Sequence, residues 1–109
     1  MDPRPTGRSL GLVETHGFIA AVQAADAMAK SAHVTIARYE VTRGALVTIL
    51  VRGELSAVEA AVAAGSAAVA AIGELKCGHV IPSPSPEIES VLLAPRGVLT
   101  VSPTRRRKR

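Results

Sequence analysis

Apolar and polar positions along this chain group into short β-like runs and longer helical runs. Leu10 to Glu14 is a brief apolar run, and Thr15 after it is suited to cap a helix. From residue 18 to residue 30, larger apolar residues recur every three or four positions, with polar residues on the other side. The apolar positions are Phe18, Ile19, Val22, Ala25 and Met28. This spacing predicts a strand followed by an amphipathic helix of about four turns.

The middle of the chain predicts a β-hairpin followed by a second helix. β-Branched runs occupy 33–41 and 45–52, and a turn around Arg43-Gly44 joins them as an antiparallel pair. Ser56 and Glu59 have the spacing of a capping box, in which each side chain accepts a hydrogen bond from the other residue's backbone N–H. We therefore predict a helix from Ser56 to about Ile72, ended by Gly73.

The last part of the chain predicts one more strand and a short helix. Leu75 to Ile81 is the strand, which the three prolines at 82, 84 and 86 stop, and Pro86 to Leu92 forms the short helix. The order strand, helix, strand, strand, helix, strand is typical of the ferredoxin-like two-layer sandwich, an α/β fold of the α+β kind. We predict a disordered lead over 1–8, a domain over 9–93 and a flexible basic tail over 94–109. The domain has a four-stranded antiparallel sheet, two main helices and one sheet face that they do not cover.

Most of the positive charge of this 109-residue chain lies at its end. Thirteen Lys and Arg residues against nine Asp and Glu give a net charge of +4, but five of the cations are Arg105 to Arg109. Without them eight cations face nine anions, so the rest of the chain is nearly neutral. The tail could bind nucleic acid or another polyanion by releasing counterions, or it could be a solvated segment that raises solubility.

Composition excludes several classes of protein. Aromatic residues make up 2% and alanines number 19, which argues against a sheet that stacks nucleic-acid bases. A single cysteine and no apolar signal segment predict a cytoplasmic protein. The longest stretch without charge, 60–73, is shorter than the ~20 apolar residues of a membrane-spanning helix, so we expect no membrane partner.

The chemistry-bearing side chains do not form a recognisable reactive set. Cys77 and His79 share one face of the predicted strand, but no orienting acid stands near them in the sequence, and a free cysteine is usually a small buried hydrophobe. His16, His33, His79 and Cys77 lack the paired spacing of zinc motifs. We therefore assign no catalytic residue, no metal and no other cofactor.

Four motifs occur in register between Ser9 and Leu92: LVETHG at 12–17, AADAMAKSA at 24–32, LVTILVRG at 46–53 and HVIP at 79–82. Together they resemble the single-domain, hexamer-forming shell proteins of bacterial microcompartments, such as carboxysomes and the propanediol- and ethanolamine-utilising compartments. The resemblance implies a homohexamer that tiles into a sheet and carries a central pore for small metabolites, without catalysis. It also implies, as partners, other shell paralogues and the encapsulated enzymes.

The resemblance implies a pore loop between the two β-branched runs of the predicted hairpin. Tyr39-Glu40 and Leu46-Val47-Thr48 flank that loop in the family, which makes Thr42, Arg43, Gly44 and Ala45 the expected pore-lining residues here. The family typically has glycine and serine where this chain has Arg43 and Gly44. Six copies of Arg43 around one axis would concentrate anions or polar carbonyl-bearing metabolites. Alternatively, Arg43 is a solvated turn residue or pairs with Glu40.

The resemblance also implies residues at the hexamer edge. Lys30 matches the family's edge lysine, although by itself it could be a solvated charge at a helix end. His33 and Ser83 are further edge candidates, and Ser83 stands where the family often has an arginine, which predicts weaker edge contacts or mixing with paralogues. Two other functions stay open: a ferredoxin-like nucleic-acid-binding module that uses the tail, and a small-molecule-sensing trimer, whose long ligand loop this chain lacks.

Overall fold

The structure is a computed structural model that describes residues 8–91 and 93. The elements are β1 (Ser9–His16), α1 (Phe18–Ser31), β2 (Thr35–Val41), β3 (Leu46–Gly53), α2 (Leu55–Ala70), β4 (Leu75–Ile81) and α3 (Pro86–Val91). The strands pair antiparallel in the order β2-β3-β1-β4. Both the predicted order of elements and the ferredoxin-like fold class are confirmed. Of the lead predicted over 1–8, residues 1–7 lie outside the described residues, as does the predicted tail over 94–109.

The register of the strands defines two distinct ends of the sheet. At one end Ser9 lies opposite Gly53 and Thr35 lies opposite Arg52. At the other end His16 lies opposite Leu46, beside the turn between β2 and β3. Because β1 has eight residues at about 3.3 Å each, the two ends are roughly 25 Å apart.

The main core lies between the sheet and the pair α1 and α2. It is built almost entirely from valine and alanine, and Val13, Val51, Val58 and Val69 are fully buried in it. Small side chains bring the two helices close to the sheet and to each other, which produces thin layers. Alternate strand residues point to the opposite face, which we call the helix-free face because neither α1 nor α2 covers it.

Only part of the predicted apolar set of α1 faces the sheet. Phe18, Ile19 and Val22 are 53%, 83% and 51% exposed, whereas Met28 and three alanines are buried. The buried alanines are Ala20, Ala21 and Ala24. Both sets of residues have helical spacing, and the set with small side chains faces inward because it permits closer packing against α2 and the sheet. The larger apolar residues therefore remain on the surface of the isolated chain.

Both predicted helix N-caps are wrong. Thr15 lies inside β1, where its buried hydroxyl contacts the carbonyl oxygens of Gly17 at 3.1 Å and Val47 at 3.3 Å, and Gly17 precedes α1 instead. α2 begins at Leu55, and its first intrahelical bond runs from the Val58 N–H to the Glu54 carbonyl at 2.9 Å. Ser56 is therefore already helical and cannot cap, and no side chain caps this helix start.

Candidate functional site at the turn between β2 and β3

The turn that joins β2 and β3 is a short 3-10 turn over Arg43–Ala45. Gly44 has φ 74° and ψ 21°, and Ala45 has φ 66°, so two successive residues adopt the left-handed conformation that favours glycine. The Thr42 N–H donates to the Leu46 carbonyl at 2.9 Å and closes the turn. Residues 42–45 are all exposed, so the turn projects into solvent from one end of the sheet.

Backbone contacts fix this turn against the start of α1. The Gly17 N–H donates to the Ala45 carbonyl at 2.8 Å, across the end of the sheet. The buried Thr15 hydroxyl connects the same two segments, because it contacts the carbonyls of both Gly17 and Val47. The position of the turn is therefore set by two elements, β1 and β3, and not by its own residues alone.

The Arg43 side chain is exposed and has no hydrogen-bond or ion-pair partner among residues 8–91 and 93. Among the described residues Arg43 and Glu40 form no ion pair, and the Glu40 Oε2 lies 2.9 Å from the Nε of Arg38 on the same strand. Within this part of the chain Arg43 is therefore a cation at a protruding turn that no acidic side chain neutralises.

The three predicted edge residues lie near the opposite end of the sheet. Lys30 is in the last turn of α1, His33 is in the connection to β2, and Ser83 follows β4. All three are exposed. The Lys30 Nζ forms an ion pair at 3.0 Å with the Oδ2 of Asp26, one helical turn earlier, an interaction worth about 0.5 kcal/mol or less at an exposed site.

The predicted pore residues and the predicted edge residues are therefore separated by the length of the domain. α1 starts beside the 42–45 turn and runs back to the end of the sheet where β2 begins. β4 runs antiparallel to β1 and delivers Ser83 to that same end. The structure brings the four turn residues together, and it places the edge residues at one end of the sheet, although Lys30 lies in α1 and the other two lie on different connections.

Sequence reasoning missed an exposed apolar surface beside the turn. Phe18, Ile19 and Val22 of α1 continue into Tyr39 of β2, because the rings of Phe18 and Tyr39 pack edge to face with centroids 5.6 Å apart. We call these four residues the apolar side surface. Polar Gln23 and Asp26 border it. The signal was the stripe of larger apolar residues on α1, whose spacing predicts an amphipathic helix without showing what covers its apolar side.

The cysteine is in a different environment from the predicted one. Cys77 is exposed on β4, and its Sγ lies 3.8 Å from the Oε1 of Glu14, which the β1–β4 pairing brings opposite it. The Thr48 hydroxyl donates to the other oxygen of that carboxylate at 3.4 Å. An acid therefore does neighbour the thiol. Within the described ranges, no three His, Cys, Asp or Glu side chains converge in a way that could hold a metal ion.

Membrane insertion through a helix has no support in the described part of the chain. None of its helices is both long enough and apolar enough to span a bilayer.

Comparison with known proteins places this chain among shell proteins. The BMC domain family model matches residues 9–84. The bacterial microcompartment shell protein PduA of Salmonella typhimurium is 50% identical over 90 residues, which cover 83% of this chain and 94% of PduA. The carboxysome shell protein CsoS1A of Hydrogenovibrio crunogenus is 47% identical over 87 residues, covering 79% of this chain and 91% of the relative.

Two further matches agree in sequence and in structure. The bacterial microcompartment shell protein EutM of Escherichia coli is 45% identical over 83 residues, covering 76% of this chain and 86% of EutM. The crystal structure of a microcompartment protein from Desulfitobacterium hafniense superposes with a TM-score of 0.73 at 28% identity. That match covers 82% of this chain, and the chain spans about half of the solved protein, 51% of its length.

Proposed function

The chain belongs to the BMC domain family and is a shell subunit of a bacterial microcompartment, and from this premise we propose that it forms a cyclic homohexamer with a central pore. Thr42, Arg43, Gly44 and Ala45 line that pore. Lys30, His33 and Ser83 lie at the outer edge, where hexamers meet. The role is structural and transporting, in the cytoplasm and without catalysis.

The observation that carries this proposal is the separation of the two residue sets. A ring subunit needs one end at the axis and the other at the rim, and the 42–45 turn and the Lys30 end of α1 lie at opposite ends of the domain. The turn is also closed by backbone bonds and fixed to α1, which suits a rigid constriction. A flexible loop in that place would define no pore diameter.

The apolar side surface supports subunit contact within the ring. Ile19 is 83% exposed, and the Phe18–Tyr39 pair beside it leaves about half of each ring in solvent. Apolar side chains clustered next to an element that approaches the ring axis are best placed to meet the neighbouring subunit. Burial there would also give a domain of this size, with its small-residue core, additional stability.

Arg43 defines the solutes that we propose for the pore. Because no group among residues 8–91 and 93 neutralises it, six symmetry-related guanidinium groups produce a positive potential that attracts anionic or carbonyl-bearing polar metabolites. The test uses assembled shells that enclose an anion-quenched fluorophore, mixed rapidly with iodide. We expect Arg43→Ala to slow iodide entry and Arg43→Lys to preserve it. Equal entry rates for Arg43→Ala and the natural protein would overturn the anion-pore proposal while leaving the hexamer intact.

Native mass spectrometry tests the assembly itself. We expect a species of six times the 11.2 kDa chain, and hexagonal sheets or tubes by negative-stain electron microscopy. A trimer would favour the sensor alternative, and a monomer would favour the nucleic-acid-binding module. In the shell the chain would contact shell paralogues and encapsulated enzymes, and co-purification from cells that produce the whole compartment tests those partners.

The nucleic-acid-binding alternative receives no support from the described surface. Its sheet would need aromatic side chains on the helix-free face, yet the chain has one Phe and one Tyr, which pack on each other at the side of α1. The cluster of cations at 105–109 is then the only feature that favours nucleic-acid binding. Deleting 104–109 and measuring unchanged binding to heparin would remove it.

A further inference from the structure

The short helix α3 lies on the helix-free face, which is the sheet face that α1 and α2 leave uncovered. Two arginines of the sheet hold it there. Arg52 follows the fully buried Val51 on β3, so its side chain points to the helix-free face. Its Nη1 donates to the Oε1 of Glu89 at 3.0 Å, and its Nη2 donates to the second oxygen of the same carboxylate. The Nη1 of Arg38, on β2, donates to the Leu93 carbonyl at 3.3 Å. These contacts place α3 across the sheet.

Two leucines on the helix-free face are buried without belonging to the core under α1 and α2. Leu10 and Leu50 alternate with helix-facing residues, so both point to the helix-free face, yet they are only 2% and 5% exposed. In the sheet register Leu10 lies opposite Arg52 and Leu50 lies opposite Arg38. The segment that these two arginines contact is therefore the part of the described chain that is placed to cover both leucines. We call Leu10 and Leu50 the apolar seat.

The attachment of α3 is divided into a fixed part and a changeable part. The Ser9 hydroxyl donates to the Pro82 carbonyl at 2.8 Å, so the start of the segment is fixed to β1. Arg52 is also held independently of α3, because its Nε and Nη2 donate to the carbonyls of Ser9 at 3.3 Å and Arg8 at 2.8 Å. The Arg52–Glu89 ion pair can therefore open while both the hinge and the arginine remain in place.

α3 depends on these contacts for its position. It has six residues, too few for an isolated helix to be stable, and the Ser85 hydroxyl accepts one hydrogen bond from the Ile88 N–H at its start. Prolines at 82, 84 and 86 restrict the backbone of the connection, so α3 leaves the sheet by rotation at this short segment. Such elements belong to the low-stability part of a fold.

We propose that α3 is a latch: the Arg52–Glu89 ion pair holds it closed over the apolar seat, and breaking that pair lets it swing away on the 82–86 connection. Opening exposes Leu10 and Leu50 next to the guanidinium group of Arg52, which Glu89 no longer neutralises. In the closed position α3 supplies the carboxylate that pairs with Arg52. The latch belongs to the single subunit and does not depend on ring assembly.

Thiol labelling of buried reporters tests the latch in the full chain. In a Cys77→Ser background, Leu50→Cys reports on the apolar seat, and Val58→Cys reports, in a separate variant, on the main core. Each reporter is combined with Glu89→Gln, which breaks the ion pair, or with Glu87→Gln, which removes one exposed charge from the same helix. We expect Glu89→Gln to speed the labelling of Leu50→Cys about fivefold and to leave the labelling of Val58→Cys unchanged. The control substitution Glu87→Gln should change neither labelling rate.

Three outcomes would overturn the latch. If Glu89→Gln does not accelerate the labelling of Leu50→Cys, the ion pair does not hold α3. Equal acceleration at Leu50→Cys and Val58→Cys means that the whole domain loosens. Equal acceleration by Glu87→Gln and Glu89→Gln means that net charge, and not the contact with Arg52, controls the segment.

Discussion

A pair of opposite substitutions in the 42–45 turn isolates the energetic cost of its backbone. Ala45 has φ 66° and Gly44 has φ 74°, and a Cβ added at Gly44 would meet no atom within 4 Å. Any effect of Gly44→Ala on folding therefore comes from the backbone conformation and not from a steric clash. Ala45→Gly is the reverse experiment at the next residue, because it removes a Cβ from the same region of conformational space.

The expected magnitudes follow from two opposing terms. The left-handed conformation costs a residue with a Cβ about 1–2 kcal/mol. Glycine avoids that cost but loses about 0.5–1 kcal/mol more conformational free energy on folding. We expect Ala45→Gly to raise the free energy of unfolding by about 0.5–1 kcal/mol and Gly44→Ala to lower it by a similar amount.

Urea unfolding, followed by circular dichroism at one fixed protomer concentration, measures both changes. The concentration must be constant because assembly adds to the apparent stability. A lower midpoint for Ala45→Gly, or a higher one for Gly44→Ala, would refute the conformation assigned to this turn. The same two variants belong in the iodide-entry assay, because the turn backbone sets the direction of the neighbouring Arg43 side chain.

Three further predictions test the packing, the edge and the latch. Gly11→Ala should destabilise the domain by about 1–3 kcal/mol in urea unfolding, because the new Cβ would stand 2.7–2.9 Å from the γ-methyl groups of three core valines; unchanged stability would contradict the thin-layer packing. Lys30→Ala should abolish sheets in electron micrographs without changing the mass of the ring, whereas Asp26→Ala, which also breaks the Lys30–Asp26 pair, should leave sheets intact. The hydrogen bond from Arg52 lowers the pKa of Glu89 below its ordinary 4.5, so the contact stabilises the closed latch above that pH and is lost as the pH falls through the lowered pKa. Because every thiol reacts more slowly in acid, the labelling rate of Leu50→Cys is divided by that of Val58→Cys at each pH. This ratio should rise in acid, and a ratio that stays constant over the acid range in which the domain remains folded would contradict the prediction.

The order of elements and the candidate pore turn could be predicted from the sequence because their signals are local. Alternation, three-to-four spacing and the prolines after Ile81 each depend on neighbouring residues, and they predicted every strand, with helix ends within a few residues of those observed. The four motifs likewise determined the family, which the BMC domain match over 9–84 confirms. Arg43 drew attention because it stands in the pore loop at a position where the family typically has glycine.

Other properties were decided only when distant segments packed together. Two apolar stripes of α1 have the same period, and only contact with α2 and the sheet selected the alanines for the inside and left Phe18 and Ile19 outside. Glu14 meets Cys77, and Arg52 meets Glu89, across 63 and 37 positions of the chain. Local sequence patterns cannot predict such pairings, because the pairings depend on strand register and on which face of the sheet α3 covers. The sequence thus determined the elements, the family and the charged turn, whereas tertiary packing decided which described surfaces remain exposed and which charge contacts α3.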